Sequence, residues 1–430
     1  MPMSVLVASP QRFVSALLAV ACFAVPTPVL ADLDADLDAW LAPFLEGTVK
    51  LDVRGRYEYA DIAGGLKPSN AVTLRTRLGY GTKPWEGLSG YAEFENIATP
   101  DSDGYFDGIA PSNGKSIVAD PTVTEVNQVY ALIERQDFGN SMAKLGRQRI
   151  TFDDHRFIGN VGWRQNEQTY DAVLAGTALG VEGLALQYSY LHDVHRIYGN
   201  QGTSATRDWD SNSHLARAAY RVAPWLEVVG FAYFLDLRDA PANSANSFGG
   251  RATGAIALSD AWTLAYQGSY AHQVDGGTSG GDNPTDYSAD YVLADAALTW
   301  ATLGTFGGGY ELLGSDGGRA VFTTPLATGH KFNGWADAFL DNGGPNGLQD
   351  AYVYLAPKLP WKLDGRLVYH HFWSSHGSRD YGNEYDAVLS RKIGKYVTVL
   401  TKVAWYDARG ASSTAPADRV RYWLEATFAF

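Results

Sequence analysis

Residues 418–430 read Asp-Arg-Val-Arg-Tyr-Trp-Leu-Glu-Ala-Thr-Phe-Ala-Phe, and the parity of this stretch decides the fold. Val420, Tyr422, Leu424, Ala426, Phe428 and Phe430 share one parity. Arg419, Arg421, Glu425 and Thr427 share the other. A strand sends alternate side chains to opposite faces, so this one has an apolar face and a polar, charged face.

The same alternation recurs upstream. In 48–60, Val49, Leu51, Val53, Tyr57 and Tyr59 oppose Lys50, Asp52, Arg54, Arg56 and Glu58. In 71–81, Val72, Leu74, Leu78 and Tyr80 oppose Thr73, Arg75 and Arg77. In 261–270, Trp262, Leu264, Tyr266 and Tyr270 oppose Gln267 and Ser269. Dyad segments of roughly ten residues suit tilted strands of a membrane barrel. Short turns are expected near Pro84, Phe138, Val181, Pro224, Asp260, Thr302, Leu359 and Gly394. Longer segments rich in Gly, Asn, Asp, Ser and Pro fall at about 61–70, 96–121, 151–168, 192–213, 237–250, 272–288, 314–350, 374–383 and 408–418. Together these imply a single all-β domain over 48–430, a closed antiparallel transmembrane barrel of about 18 strands. Short periplasmic turns would form one rim and long extracellular loops the other. An aromatic residue closing the last strand resembles the assembly signal of bacterial outer-membrane barrels.

Composition agrees. The 430 residues are 46% hydrophobic and 13% aromatic, with 46 Gly and 25 Tyr, which suits a sheet protein with many turns. Arg12, the apolar run 13–25 and Val29-Leu30-Ala31 form a secretory signal pattern, so 1–31 is expected to be cleaved. Its removal takes the formal net charge from −13 to −14, which argues against a nucleic-acid partner. The single cysteine, Cys22, lies in that segment, so the barrel has no disulfides. No later stretch reaches the roughly 18 apolar residues of a spanning helix, so any crossing must be made by a closed barrel. Residues 32–47, with Leu33, Leu37, Trp40, Leu41 and Phe44 near helical spacing, read as a periplasmic leader, either a short amphipathic helix or flexible. Trp85, Trp225, Trp262, Trp300 and Trp361 all sit beside short turns, the placement of an interfacial girdle.

The passage 144–175 carries Gly146-Arg147-Gln148, Trp163-Arg164-Gln165-Asn166 and Gln168-Thr169-Tyr170-Asp171-Ala172. It resembles the alginate-export porin family. Leu51-Asp52-Val53-Arg54 with Tyr57-Glu58, and 73–80, resemble that family's first hairpin. The resemblance spans about 48–430 and implies an outer-membrane barrel exporting an anionic polysaccharide. It supports a barrel porin more firmly than alginate itself.

An eighteen-stranded barrel holds an aqueous channel, and its chemistry lies in inward side chains. Arg54, Arg56, Arg75 and Arg77 fall on one hairpin at similar depth. Closure brings Arg419 and Arg421 to the outer half of the same wall. Arg217 and Arg221 share a parity on a later strand, and Arg164 lies on a loop able to fold inward. Arginine's planar fork binds carboxylates bidentately and stays charged. The competing reading is structural: the inward acids Asp52, Glu58, Glu93, Glu95 and Glu425 neutralise these arginines and stiffen the wall. The directions of Arg147 and Arg149 are ambiguous, and a bulge is one explanation. Asp101-Ser-Asp103-Gly lacks the spacing of a calcium loop. His370, His371 and His376 beside Ser374 and Ser375 show no triad or zinc spacing. Gly307–Gly309 suggest tight curvature or close backbone approach.

The expectation is a monomeric passive channel conducting an anionic solute, an acidic polysaccharide such as alginate among the candidates. It would need no cofactor, metal or catalytic residue. Outer-membrane lipid, lipopolysaccharide and the assembly machinery that reads Phe430 would be its partners. A general or small-anion uptake porin is the alternative, and a loop-plugged structural or adhesive barrel is the next.

Overall fold

The computed structural model describes residues 47–109, 111–203, 206–278, 281–409 and 416–430. The expected signal segment and nearly all of the expected leader lie outside the described residues. Among the described residues, one 18-stranded sheet carries every long strand. The strands are β1 (Thr48–Ile62), β2 (Ser69–Gly81), β3 (Leu88–Ala98), β4 (Val123–Arg135), β5 (Ser141–Gln148) and β6 (Thr169–Thr177). They continue as β7 (Leu184–His195), β8 (Trp209–Ala223), β9 (Leu226–Leu235), β10 (Ala245–Ala257), β11 (Trp262–Asp275) and β12 (Ser288–Trp300). The last six are β13 (Gly304–Leu313), β14 (Leu348–Pro357), β15 (Leu363–Trp373), β16 (Asp380–Ile393), β17 (Val397–Ala408) and β18 (Arg419–Ala429). Each pairs antiparallel with its chain neighbours, and β18 closes on β1 with Asp52 opposite Ala429 and Ile62 opposite Arg419. The chain end completes the seam: Phe430 N–H donates to the Leu51 carbonyl at 2.8 Å, and Leu51 N–H returns a bond at 3.1 Å. A closed sheet leaves no row of unpaired backbone groups, which hydrocarbon would not tolerate.

The strand count and both classes of connection follow the expected pattern. Short turns fall at 82–87, 136–140, 178–183, 224–225, 258–261, 301–303, 358–362 and 394–396. Long connections include 99–122, 149–168, 196–208 and 314–347. The outward parity is apolar: Leu74, Leu78, Phe94, Val129, Leu145, Phe306, Val353, Leu367 and Trp405 are all exposed on the outer wall. Trp85, Trp225 and Trp361 are exposed at the short-turn rim, and Trp262 stacks on Trp300 with ring centroids 5.0 Å apart. This is a transmembrane β-barrel. No helix among the described residues is long and apolar enough to cross a membrane.

The lumen is partly filled by its own loops. Segment 149–168 buries Ile150, Phe152, Ile158 and the run 164–168. Segment 314–347 buries Phe322, Leu326, His330, Ala336, Asp337 and Phe339. A two-residue hairpin pairs Ser315 with Val321 at the start of that segment. Segment 99–122 adds Tyr105, Val118 and Asp120. Gly307 and Gly309 face Tyr354 and Tyr352 across the β13–β14 ladder, and a Cβ there would lie 2.4 and 2.5 Å from those rings. The glycines therefore admit two tyrosines flat against the inner wall, a case of close side-chain approach.

Candidate lumen site

Alternation on β1, β2 and β18 turns Arg54, Arg56, Arg75, Arg77 and Arg421 to the inside, where they are 2–7% exposed. Arg54 stands opposite Arg75 in the β1–β2 register, and Arg77 stands opposite Asp52. Four guanidinium groups at one depth repel one another unless anions intervene, and here acids do. Arg56 pairs with Glu425 at 2.6 Å and with Asp120 at 3.5 Å. Arg75 pairs with Asp52 at 2.6 Å. Arg77 meets Glu95 directly and Glu167 at 3.4 Å. Arg54 lies 3.9 Å from Glu425 and donates to Gln165 Oε1 at 2.9 Å and to the Arg164 carbonyl.

The loop motif at 163–167 caps this wall. Trp163 offers its carbonyl to Arg56 at 2.6 Å, and its ring lies 4.5 Å under the same guanidinium. Gln165 donates from its amide to Thr73 at 2.8 Å, and its backbone N–H donates to Asp120 at 2.7 Å. Arg164 reaches Glu58 at 3.1 Å and Asp337 at 2.6 Å. Burial works against its charge, yet Glu58 and Asp337 hold the guanidinium above its ordinary value. Arg421 shares Glu58 at 2.7 Å and donates to the Ala336 carbonyl at 3.0 Å. Arg419 donates to the carbonyls of Asp337 at 2.8 Å and Ala417 at 3.2 Å.

Six of the nine arginines singled out from the sequence thus meet in one network, with Arg419 beside it. Arg217 and Arg221 do not join. Arg217 is on β8 and pairs with Asp153 at 2.6 Å, while Arg221 lies toward the short-turn rim opposite Glu227. The acids expected to compete, Asp52, Glu58, Glu95 and Glu425, are the partners found. Arg149 crosses to Glu93 at 2.8 Å and meets Glu167, whereas Arg147 pairs with Asp171 at 3.0 Å. Gly146, at φ 120°, is the backbone irregularity beside them.

The long segment expected over 314–350 does fold inward, as 314–347, but sequence reasoning missed the residues through which it meets the wall. Its His330 donates or accepts at Asp337, 2.6 Å away, and stacks on Trp163 with centroids 4.5 Å apart. Lys402 of β17 meets His330 Nε2 at 2.7 Å and lies 4.1 and 4.0 Å from the Trp163 and Trp335 rings. This clamp joins both inward loops to the wall.

Among the described residues, cavities remain between loops and wall, and two of them are lined by both. The outer, about 340 Å³, is lined by Arg156, Arg164, Arg196, Arg419 and Arg421 against the carboxylates Glu311 and Asp337. Arg196 donates to Gln168 at 3.0 Å and to the Pro325 carbonyl at 2.9 Å, and stacks 3.9 Å from the Trp209 ring. Neither Arg196 nor Arg419 has a carboxylate within ion-pair distance among the described residues. The inner cavity, about 320 Å³, lies toward the short-turn rim and includes Lys331, Arg366, Asp295, Asp350, Tyr352 and Tyr354. Arg366 there stacks 3.9 Å from the Tyr354 ring.

No family model matches the chain, and no curated protein matches it in sequence. Solved structures do. The outer membrane protein opdK from Pseudomonas aeruginosa aligns at 16% identity and TM-score 0.65, over 89% of this chain and 98% of that one. OpdK with vanillate gives 16% and 0.66, over 90% and 98%. Acinetobacter baumannii OccAB4 gives 13% and 0.67, over 90% and 98%. At such identities the likeness concerns the fold: the chain has the architecture of a bacterial outer-membrane barrel. The neighbours do not single out the alginate-export family.

Proposed function

We propose that this outer-membrane barrel is a passive channel for small carboxylate-bearing anions. The observation that carries the reading is the outer cavity, where five arginines face two carboxylates and Arg196 and Arg419 are bound only to carbonyls, an amide and a ring. Arginines placed this way attract carboxylates into a low-dielectric space, where charge complementarity acts strongly. One neighbour, OpdK, was solved with vanillate, a small aromatic carboxylate. The acidic-polysaccharide reading remains the one the sequence resemblance favours. Against it, the inward loops break up the lumen and leave cavities of about 340 and 320 Å³ among the described residues, spaces suited to a compact solute rather than a polymer. The buried arginine wall also favours a second reading, a barrel closed by its loops. In the channel reading the protein works as a monomer in lipid and lipopolysaccharide, inserted by machinery that reads the strand ending in Phe430.

Planar-bilayer recording in a salt gradient tests this. The channel reading expects anion-selective current that small carboxylates reduce and uronate oligomers do not. Block by oligomers alone would return the polysaccharide, and a protein that never conducts would leave the plugged barrel.

A further inference from the structure

The two cavities share four lining residues: Arg156, Glu311, Phe332 and Asn333. The partition between them is therefore one side chain thick. Arg156 comes from segment 149–168, Glu311 from β13, and Phe332 and Asn333 from segment 314–347. Arg156 forms an ion pair with Glu311, pairs with Asp154 at 3.2 Å and stacks 4.0 Å from the Phe332 ring. Asn333 donates to Glu311 at 3.0 Å, and Tyr291 O–H donates to the other Glu311 oxygen at 2.9 Å.

Resting on the channel reading above, we propose that the solute crosses the barrel at this Arg156–Glu311–Phe332 partition, on the β13 side. The arginine wall of β1 and β2 is not its route. Arg54, Arg56, Arg75 and Arg77 line neither cavity, and each is already held by loop and wall groups. At the partition, by contrast, only Glu311 belongs to the rigid sheet. A solute carboxylate arriving from Arg196 and Arg419 has one exchange to make: it replaces Glu311 at the Arg156 fork. The same guanidinium then faces the inner cavity, where Lys331 donates to the Asp154 carbonyl at 3.0 Å and Arg366 rests on Tyr354. Phe332 covers the guanidinium face and sets the width, so a flat or small carboxylate is the class that fits.

The barrel contains no cysteine, since Cys22 is the only one in the sequence and precedes it. A cysteine placed at the partition is thus a unique target for a sulfonate-bearing methanethiosulfonate, whose sulfinate leaves as the mixed disulfide forms. In Phe332→Cys the reagent should cut current to a third or less. In Thr73→Cys, opposite Arg56 within the arginine wall, current should be indifferent to it. Glu311→Gln, which spares the shape, should raise the anion-to-cation permeability ratio at least twofold. Block through Thr73→Cys with Phe332→Cys unaffected, or an unchanged ratio in Glu311→Gln, overturns the route. Wild-type protein without anion-selective current would instead overturn the channel reading beneath it.

Discussion

Arg54 and Arg75 stand opposite each other across the first hairpin, and one glutamine of an inward loop meets both. Gln165 Oε1 accepts from Arg54 at 2.9 Å, and the Gln165 carbonyl lies 3.5 Å from Arg75. Like charges set in register are held together by a neutral residue and by acids at their flanks. The wall is a fastening for the loop as much as a source of positive potential.

Breaking one partner should therefore cost more than removing both. Arg56→Gln removes the guanidinium that Glu425 and Asp120 share and leaves Glu425 only the more distant Arg54 at 3.9 Å, a loss of about 3–5 kcal/mol by analogy with other buried pairs. Arg56→Gln with Glu425→Gln should recover at least half of it. Guanidinium unfolding of the refolded barrel, read as a double-mutant cycle, gives the coupling. Additive losses would show that the pair is not a unit.

The barrel was legible because a period of two is local. Leu78 and Arg77 declare their faces from neighbouring positions, and eighteen strands follow from where that alternation stops. The arginine wall was legible for the same reason, and Arg164 because its motif stands out in a loop. What escaped was the set of contacts that loop folding makes. Asp337, His330 and Arg156 belong to segments without a period, and their contacts join residues 7 to 173 positions apart. Arg196 and Arg366 carry no pattern that marks them as cavity-lining cations. Their standing depends on which carboxylates the loops bring near. The preference for a polysaccharide rested on a resemblance, and the way the loops divide the lumen bears on solute size where sequence does not.

Arg196→Gln and Arg419→Gln together should lower the anion-to-cation permeability ratio several-fold while leaving the fold intact. Both side chains give up hydrogen bonds to carbonyls, not ion pairs, so no carboxylate is stranded. Reversal potentials in a salt gradient measure the ratio. Arg217→Gln serves as the contrast, because Arg217 lines neither cavity and should shift the ratio less.

The outer wall makes its own prediction. Leu74, 46% exposed near the middle of β2, faces lipid. Leu74→Arg should destabilise the barrel in lipid by about 2–4 kcal/mol if it lies at the bilayer midplane, with less effect toward either interface. The same substitution at exposed Leu66, in the connection after β1, should cost far less. Equal effects in a denaturant titration would contradict a lipid-facing wall.

The inner loop should loosen in acid, and His330 is the reason. Its ring is buried, and although Asp337 at 2.6 Å favours the imidazolium, burial, Lys402 and Arg164 together push its pKa down to about 3. In a released loop the ring would titrate near its ordinary value of about 6.5. The closed state therefore binds fewer protons than the released state across that interval. Stability due to His330 is fully present above about pH 6.5 and falls steadily toward pH 3. Trp163, Trp335 and Trp423 surround the site and supply no acid, so Asp337 alone opposes the effect from the loop. Limited proteolysis within 314–347 should accelerate between pH 7 and pH 4, and channel flicker should rise in parallel. His330→Asn keeps a polar group beside Asp337 but does not titrate, so its proteolysis should be flat over the same range. An equally steep rise in His330→Asn would assign the acid sensitivity to the carboxylates instead.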